Sequence, residues 1–371
     1  MDWSGKARLR SEHVDDDRFT DDSFLVSIAA QIGAVWEPTS SLSFAATGEA
    51  VGEIAGRFDD GEGAPRNRGV IPDPSLLNLN ELFAEYRGLD GVRVRIGRQT
   101  LSFDDERFVG AVAFRQNAQS FDAIRTTLSG AGGLSVDVAQ VVGVARPLGA
   151  RGSPRRLESE SLLIRAALPF RYGSVVGYRY GLDLGEDQSP TPLAGGRSIT
   201  YGAAVKGQVG ERPASLSYHG ELAQQENRTT GETVAFGRAK LGLAFERVAF
   251  DMSYDRFAAG TEAFQTPLGT NRAFQGHADV FLVTPATGLA DTALGIRYQV
   301  GDFGPIRRVG LSVRGHRFDP TTAGPRYGHE LDVIATAQWR RFTLSTERAA
   351  YVAEGFGDDV TRWWLTVATS F

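Results

Sequence analysis

Apolar and polar residues alternate with a period of two from one end of the chain to the other, and no other feature restricts its fold as tightly. In "GHELDVIATAQW", Leu331, Val333, Ala335, Ala337 and Trp339 share one side; Glu330, Asp332, Thr336 and Gln338 share the other. "ADTALGIRYQV" sets Leu294, Ile296, Tyr298 and Val300 against Gly295, Arg297 and Gln299. "GVRVRIG" sets Val92, Val94 and Ile96 against Arg93 and Arg95. "YGSVVGYRYGLDL" reads the same way, with Val176, Tyr178, Tyr180 and Leu182 on the apolar face and Arg179 and Asp183 on the polar one. Successive side chains of a strand point to opposite faces, so each stretch is a strand with one oily and one wet side. The pattern predicts eighteen strands across the 371 residues.

The connections alternate too. A long link ("SEHVDDDRFTDD") is followed by a short one ("EPTS"), and tight turns such as "GLDG", "RYG", "ER" and "WRR" recur at every second position. Long loops at one end and tight turns at the other are the layout of an outer-membrane barrel. A β-sandwich or a propeller also alternates within strands, but neither predicts this rhythm of connections. The expected fold is therefore all-β: one membrane-spanning antiparallel up-and-down barrel of 18 strands, with short periplasmic turns and long extracellular loops. Residues 1–371 are expected to form a single barrel domain in the outer membrane of a Gram-negative cell. Trp3, Trp36, Tyr86, Tyr172, Trp339, Trp363 and Trp364 are expected at the membrane interfaces.

Composition agrees and excludes other classes. No run of 18 apolar residues exists, so no membrane helix is expected. The 40 basic and 45 acidic side chains are mixed rather than blocked, which argues against a nucleic-acid partner. Cysteine is absent, so disulfides and thiolate metal sites are ruled out. "MDWSGKARLR" has no apolar export segment, and the strand pattern implies that a signal has been removed. The chain closes with "TRWWLTVATSF", where Trp363, Leu365, Val367, Thr369 and Phe371 share one parity. That ending resembles the last strand of bacterial outer-membrane proteins, which implies recognition of Phe371 by the barrel assembly machinery. The other expected partners are outer-membrane lipid and lipopolysaccharide.

The stretch "RIGRQTLSFDDERFVGAVAFRQNAQSFDAIR", from Arg95 to Arg125, carries five arginines and four carboxylates. It resembles the alginate-export porin family. There a strand ending in Gly-Arg-Gln leads into an acidic, arginine-containing loop and returns through an Asn into a Phe-Asp strand. The matching residues are Gly97, Arg98, Gln99, Asp104, Asp105, Arg107, Asn117, Phe121, Asp122 and Arg125. "TPLGTNRAFQGHADVFLVTPATGLAD" resembles the family's long late loop through Thr270, Asn271, Phe274, Gly276, Asp279 and Phe281. The chain departs from the family at Arg272, where His is frequent, and at Phe114, where Trp is frequent. The resemblance implies an eighteen-stranded passive channel.

If the apolar faces meet lipid, the charged faces enclose water, because an arginine or lysine at the bilayer midplane costs about 2–4 kcal/mol. The expected pore-lining set is Arg93, Arg95, Arg98, Arg107, Arg125, Arg179 and Arg297, with Glu81, Glu85, Asp104 and Asp122. Hairpin register brings Glu85 close to Arg93 or Arg95, so two readings stand side by side: a cross-strand ion-pair ladder and a basic track for solute. The loops from Leu101 to Gln116 and from Phe257 to Thr287 are long and only partly polar. Phe103, Phe108, Val109, Val112 and Phe114 need burial, so at least one loop is expected to fold into the barrel.

No enzyme motif is present, and the five histidines show no ligand spacing, so no catalytic residue, metal or cofactor is expected. The acidic stretches Asp15 to Asp22 and Asp59 to Gly63 match no calcium loop and read as solvated. Forked guanidinium recognition favours carboxylate solutes. The expected function is a passive porin for anionic saccharides or polysaccharide. The alternative is a general or small-acid nutrient porin, and an outer-membrane enzyme ranks third.

Overall fold

A computed structural model describes residues 1–61, 66–147, 156–185, 194–211 and 213–371 of the chain. Glu62 and Gly63 of the second acidic stretch lie outside the described residues. Strand-forming stretches become β1 (Asp2–Asp16), β2 (Ser23–Thr39), β3 (Leu42–Arg57), β4 (Leu76–Leu89), β5 (Val92–Gln99) and β6 (Ser120–Ser129). Next come β7 (Ser135–Ala145), β8 (Arg156–Phe170), β9 (Gly173–Asp183), β10 (Arg197–Val209), β11 (Ala214–Asn227) and β12 (Thr233–Phe245). The rest are β13 (Val248–Phe257), β14 (Leu289–Phe303), β15 (Ile306–Asp319), β16 (Gly328–Trp339), β17 (Phe342–Ala353) and β18 (Val360–Ser370). β6 begins at Ser120, beyond Asn117 of the family-like return. The preceding residues are held by a loop: Asn117 Nδ2 donates to Pro74 O at 3.1 Å and Gln119 N to Ala111 O at 2.7 Å.

Each strand pairs antiparallel with its chain neighbours, and β1 also pairs with β18, from Lys6↔Ser370 to Asp16↔Val360. Closure follows from the solvent. Lipid offers the backbone no hydrogen-bond partner, so a sheet that spans it can have no free edge.

The outer surface carries the apolar parity. Leu294 is 62% exposed and Leu365 59%, while their inward neighbours Ala293 and Trp364 are 0% and 2%. Trp3, Trp36, Tyr86, Tyr172, Trp339 and Trp363 face outward as expected. Trp364 does not; it points into the barrel, because the neighbouring Trp363 takes the outward position of the strand. Five of the outward aromatics, all but Trp363, flank the short turns, where amphipathic rings sit at headgroup depth.

Replacing Leu294 with Arg should destabilise the folded barrel by about 2–4 kcal/mol, because the site lies mid-strand on the lipid face. Urea titration of the protein refolded into liposomes reads this directly. A loss below about 0.5 kcal/mol would place Leu294 outside the hydrocarbon.

Candidate functional site in the lumen

The barrel is not hollow. β5 has only eight residues, and the chain leaves it at Gln99 to enter the lumen before returning at Ser120. A second loop, between Phe257 and Leu289, also turns inward. The two loops lock together: Gly110 N donates to Leu268 O at 2.9 Å and Thr270 N to Glu106 O at 2.9 Å. Gln119 Nε2 spans them, donating to Gly110 O at 2.9 Å and Leu268 O at 3.1 Å. Their apolar residues explain the insertion. Phe108 packs on Tyr178, Phe236 and Phe264 with centroids 5.2, 5.6 and 6.0 Å apart, and Phe103 stacks on Tyr180 at 6.1 Å. Each such ring removed from water contributes about 1.5–3 kcal/mol, which an extracellular position would forfeit.

Charge holds the loops in register. Arg107 is fully buried and donates to Asp255 of β13. Asp255 also takes a forked pair from Arg238 of β12, at 2.8 and 2.8 Å, and Arg238 reaches back to Asp105 of the loop at 2.6 Å. Burial pushes the Arg107 guanidinium down to about 10, with Asp255 opposing, so it is charged at neutral pH. Asp104 receives Arg165 at 2.8 and 2.7 Å and Lys206 at 2.8 Å. Burial alone would raise its carboxyl, but these donors outweigh burial and hold it below the usual range. Four residues of the two loops, Asp104, Glu106, Val112 and Asp279, adopt left-handed backbone with φ of 56°, 67°, 52° and 62°.

The inserted aromatics pack on two stretches of wall, Phe103, Phe108 and Phe264 on β9, β12 and β13, and Phe281 and Phe114 on β15, β17 and β18, and leave space beside β1. An outward-side pocket of about 280 Å³ is bordered by Arg18, Arg115, Arg272 and Arg362, by Asp279, and by Val70, Pro72, Val112, Phe114 and Leu282. Each guanidinium is paired: Arg18 with Asp16, Arg115 with Asp279, Arg272 with Glu347 and Arg362 with Glu12. Asp16, Glu12 and Glu347 stand behind the lining, so the pocket wall itself is mostly cationic. Arg272 lies between two rings, 3.6 Å from the Phe114 centroid and 4.1 Å from that of Trp364. A second cavity of about 300 Å³ opens towards the short turns and is bordered by Lys6, Arg8, Gln31, Gln116 and Arg341. Lys6, Arg8 and Arg10 point inward from β1 at every second residue, and Arg10 stacks on Phe114 at 4.2 Å.

The expected site residues fare differently. Arg93, Arg95 and Arg125 face the lumen but are taken up by carboxylates. Arg95 donates to Glu85 at 2.9 and 2.5 Å, Arg93 lies 3.9 Å from Glu85, and Arg125 donates to Asp137 at 3.0 and 2.6 Å. The cross-strand ladder is what forms there. Glu81 accepts from Thr100 N at 3.3 Å and from Thr47 Oγ1 at 3.3 Å, at the root of the first loop. Arg297 faces the lumen opposite Ala249 and Ser312. Arg98 and Asp122 need correction: they lie on the outer side, where Arg98 pairs across the ladder with the outward Leu82 and grips Asp122 at 2.7 and 3.0 Å. The outward parity of Val94 and Ile96 simply continues to Arg98, because the loop begins only after Gln99. Arg179 is corrected for a different reason. Tyr178 and Tyr180 turn inward to meet the loop aromatics, so Arg179 takes the outer face, 5.7 Å from the Tyr201 ring. The pocket arginines were not singled out in advance. The signal for the pocket was the pair of departures from the family pattern, Phe114 and Arg272, and that for the second cavity was the alternation in "KARLR" on β1.

Comparison with known families matches residues 4–278 to alginate export. Solved structures share the fold across the whole chain. OccK9 (OpdG) of Pseudomonas aeruginosa aligns at 12% identity and TM-score 0.75, covering 100% of this chain and 97% of that one. OpdK of the same organism, solved with vanillate, aligns at 12% identity and TM-score 0.72, covering 100% and 98%. OccAB4 of Acinetobacter baumannii aligns at 12% identity and TM-score 0.69, covering 100% and 97%. No curated protein matches significantly.

Asp255→Asn should release the first loop, because it leaves Arg107 and Arg238 facing each other without their shared carboxylate. Breaking a buried pair costs about 3–5 kcal/mol. Hydrogen exchange across residues 100–119 should accelerate, and open-channel current in planar bilayers should become noisier. Unchanged exchange would show that the aromatic packing alone holds the loop.

Proposed function

The chain belongs to the alginate export family and is an outer-membrane channel of a Gram-negative bacterium, and from that premise we propose that it passes small carboxylate-bearing solutes, uronic and aromatic acids among them, in preference to a polysaccharide chain. The observation that carries this reading is the outward-side pocket, with four arginines and Asp279 around about 280 Å³. Guanidinium forks match carboxylate geometry, and Val70, Pro72, Val112, Phe114 and Leu282 supply an apolar wall for a ring. The interlocked loops argue against a sliding polymer, because Gly110 and Leu268, and Glu106 and Thr270, are hydrogen-bonded to one another inside the lumen and narrow it. OpdK, whose structure holds vanillate, is a barrel of the same fold with an aromatic acid bound. The general-porin reading is favoured by one fact: each pocket arginine has a carboxylate partner, which weakens the net field.

Within this reading residues 1–371 act as one barrel domain, and Arg93, Arg95, Arg125 and Arg297 shape the lumen wall while the β1 arginines guide the solute. Phe371 is assigned to assembly: its ring is 83% exposed and lies over Gly5, whose N–H donates to Phe371 O at 3.0 Å.

Chloride current through the purified channel should be blocked by benzoate and by glucuronate at millimolar levels. Arg272→His should weaken the block about tenfold above about pH 8, where imidazole is neutral, and recover part of it below about pH 5.5, where it is charged. Alginate oligomers should permeate liposomes far more slowly than glucuronate. Equal rates for the two would sink the small-acid reading.

A further inference from the structure

The two cavities meet at one segment of chain. The outward pocket touches Val112, Phe114 and Arg115, and the inward cavity touches Gln116 and Arg8. Residues 112–116 are thus the partition between them. The partition is a tight turn, with Arg115 N donating to Val112 O at 3.1 Å. Val112 sits at φ 52°, a left-handed conformation that a β-branched residue rarely adopts and that stores strain. Its two ends are secured by charge-assisted or buried bonds. Arg115 pairs with Asp279 and lies 3.8 Å from Glu12, and Gln116 N donates to Asp73 Oδ1 at 2.8 Å.

The middle is held differently. Arg8 Nη1 donates to Phe114 O at 2.7 Å and to Ala113 O at 3.2 Å. Among the described residues no carboxylate lies within ion-pair distance of Arg8, whereas Arg10, two residues along, is 3.7 Å from Asp73. A guanidinium in the solute path is therefore engaged by neutral carbonyls, which offer it neither the opposite charge nor the forked geometry of a carboxylate.

We infer that Arg8 is a solute-operated latch: its bonds to Ala113 and Phe114 keep the 112–116 partition shut, and a carboxylate solute that takes the guanidinium holds the partition open. The inference rests on the small-acid reading of the pocket. While the partition is shut, Arg8 is occupied by the two carbonyls. Once the turn swings away, Arg8 is free to form a fork with an anion. A carboxylate thus binds the open state better than the closed one, and such a ligand shifts the population towards open. Arg10, buried and stacked on the Phe114 ring, stands beside the latch and backs the closed partition. Neutral solutes of the same size have no such effect, so Arg8 couples opening to the charge that the pocket selects.

The test uses single-channel recording of the full chain, with heat-modifiable migration to confirm a folded barrel. For the unaltered channel, adding benzoate at constant ionic strength should raise the open fraction between blocking events. For Arg8→Ala, the open fraction in chloride alone should rise about threefold or more, and benzoate should add nothing further. Val112→Gly relaxes the strained turn in its closed form and should lower the open fraction, which tests the partition even if Arg8→Ala folds poorly. An unchanged open fraction for both variants overturns the latch. Benzoate quenching of Trp364 fluorescence, absent in Trp364→Phe, reads the pocket separately. Quenching with no gating change removes the latch and leaves the pocket standing; no quenching removes the small-acid reading and the solute-operated step together.

Discussion

A backbone that crosses lipid must satisfy every N–H and C=O from within the protein, and the rest of this structure depends on that demand. It forces the β1–β18 seam, which joins chain ends that are far apart in sequence. It also sets the scale of the interior, because a closed sheet of eighteen strands leaves a bore too wide for its own inward side chains to fill. Selectivity in such a barrel has to come from something placed inside it.

Here the filling comes from two connections that the sequence makes long and aromatic. Their rings build a core within the lumen against β9, β12 and β13 and against β15, β17 and β18, and their charges are anchored to carboxylates and arginines on the wall. Phe108 and Phe264 drive the loops inward, while Arg107, Asp105 and Asp104 decide where they dock. The aromatic filling leaves the wall at β1 uncovered, and open space lies there beside Lys6 and Arg8. The path is the space that the inserted core leaves over.

Charge has two separable uses in this lumen. Arg93, Arg95 and Arg125 are consumed by Glu85 and Asp137 and stiffen a wall. Arg18, Arg115, Arg272 and Arg362 are also paired, yet they present an edge to a cavity. Composition does not distinguish the two groups. What distinguishes them is whether open space lies on the other side of the guanidinium, and that depends on the loops.

Fold, strand count, membrane location and the outward belt were legible in the sequence, because period-two alternation and the rhythm of connections are local properties that survive any tertiary arrangement. The need to bury Phe103, Phe108 and Phe114 was legible for the same reason, and with it the inward course of a loop. Which charges matter was not. Apolar parity was read as lipid-facing throughout, and this holds for Leu294 and Leu365 but fails at Tyr178 and Tyr180, which face a second apolar phase inside the barrel. Arg179 was therefore turned the wrong way by a rule that is correct for strands lining water. Alternation alone determined that there is a barrel with a charged interior. Only the packing of the two loops decided which arginines border open space, because that depends on contacts between residues more than a hundred positions apart, such as Arg8 with Phe114 and Arg115 with Asp279.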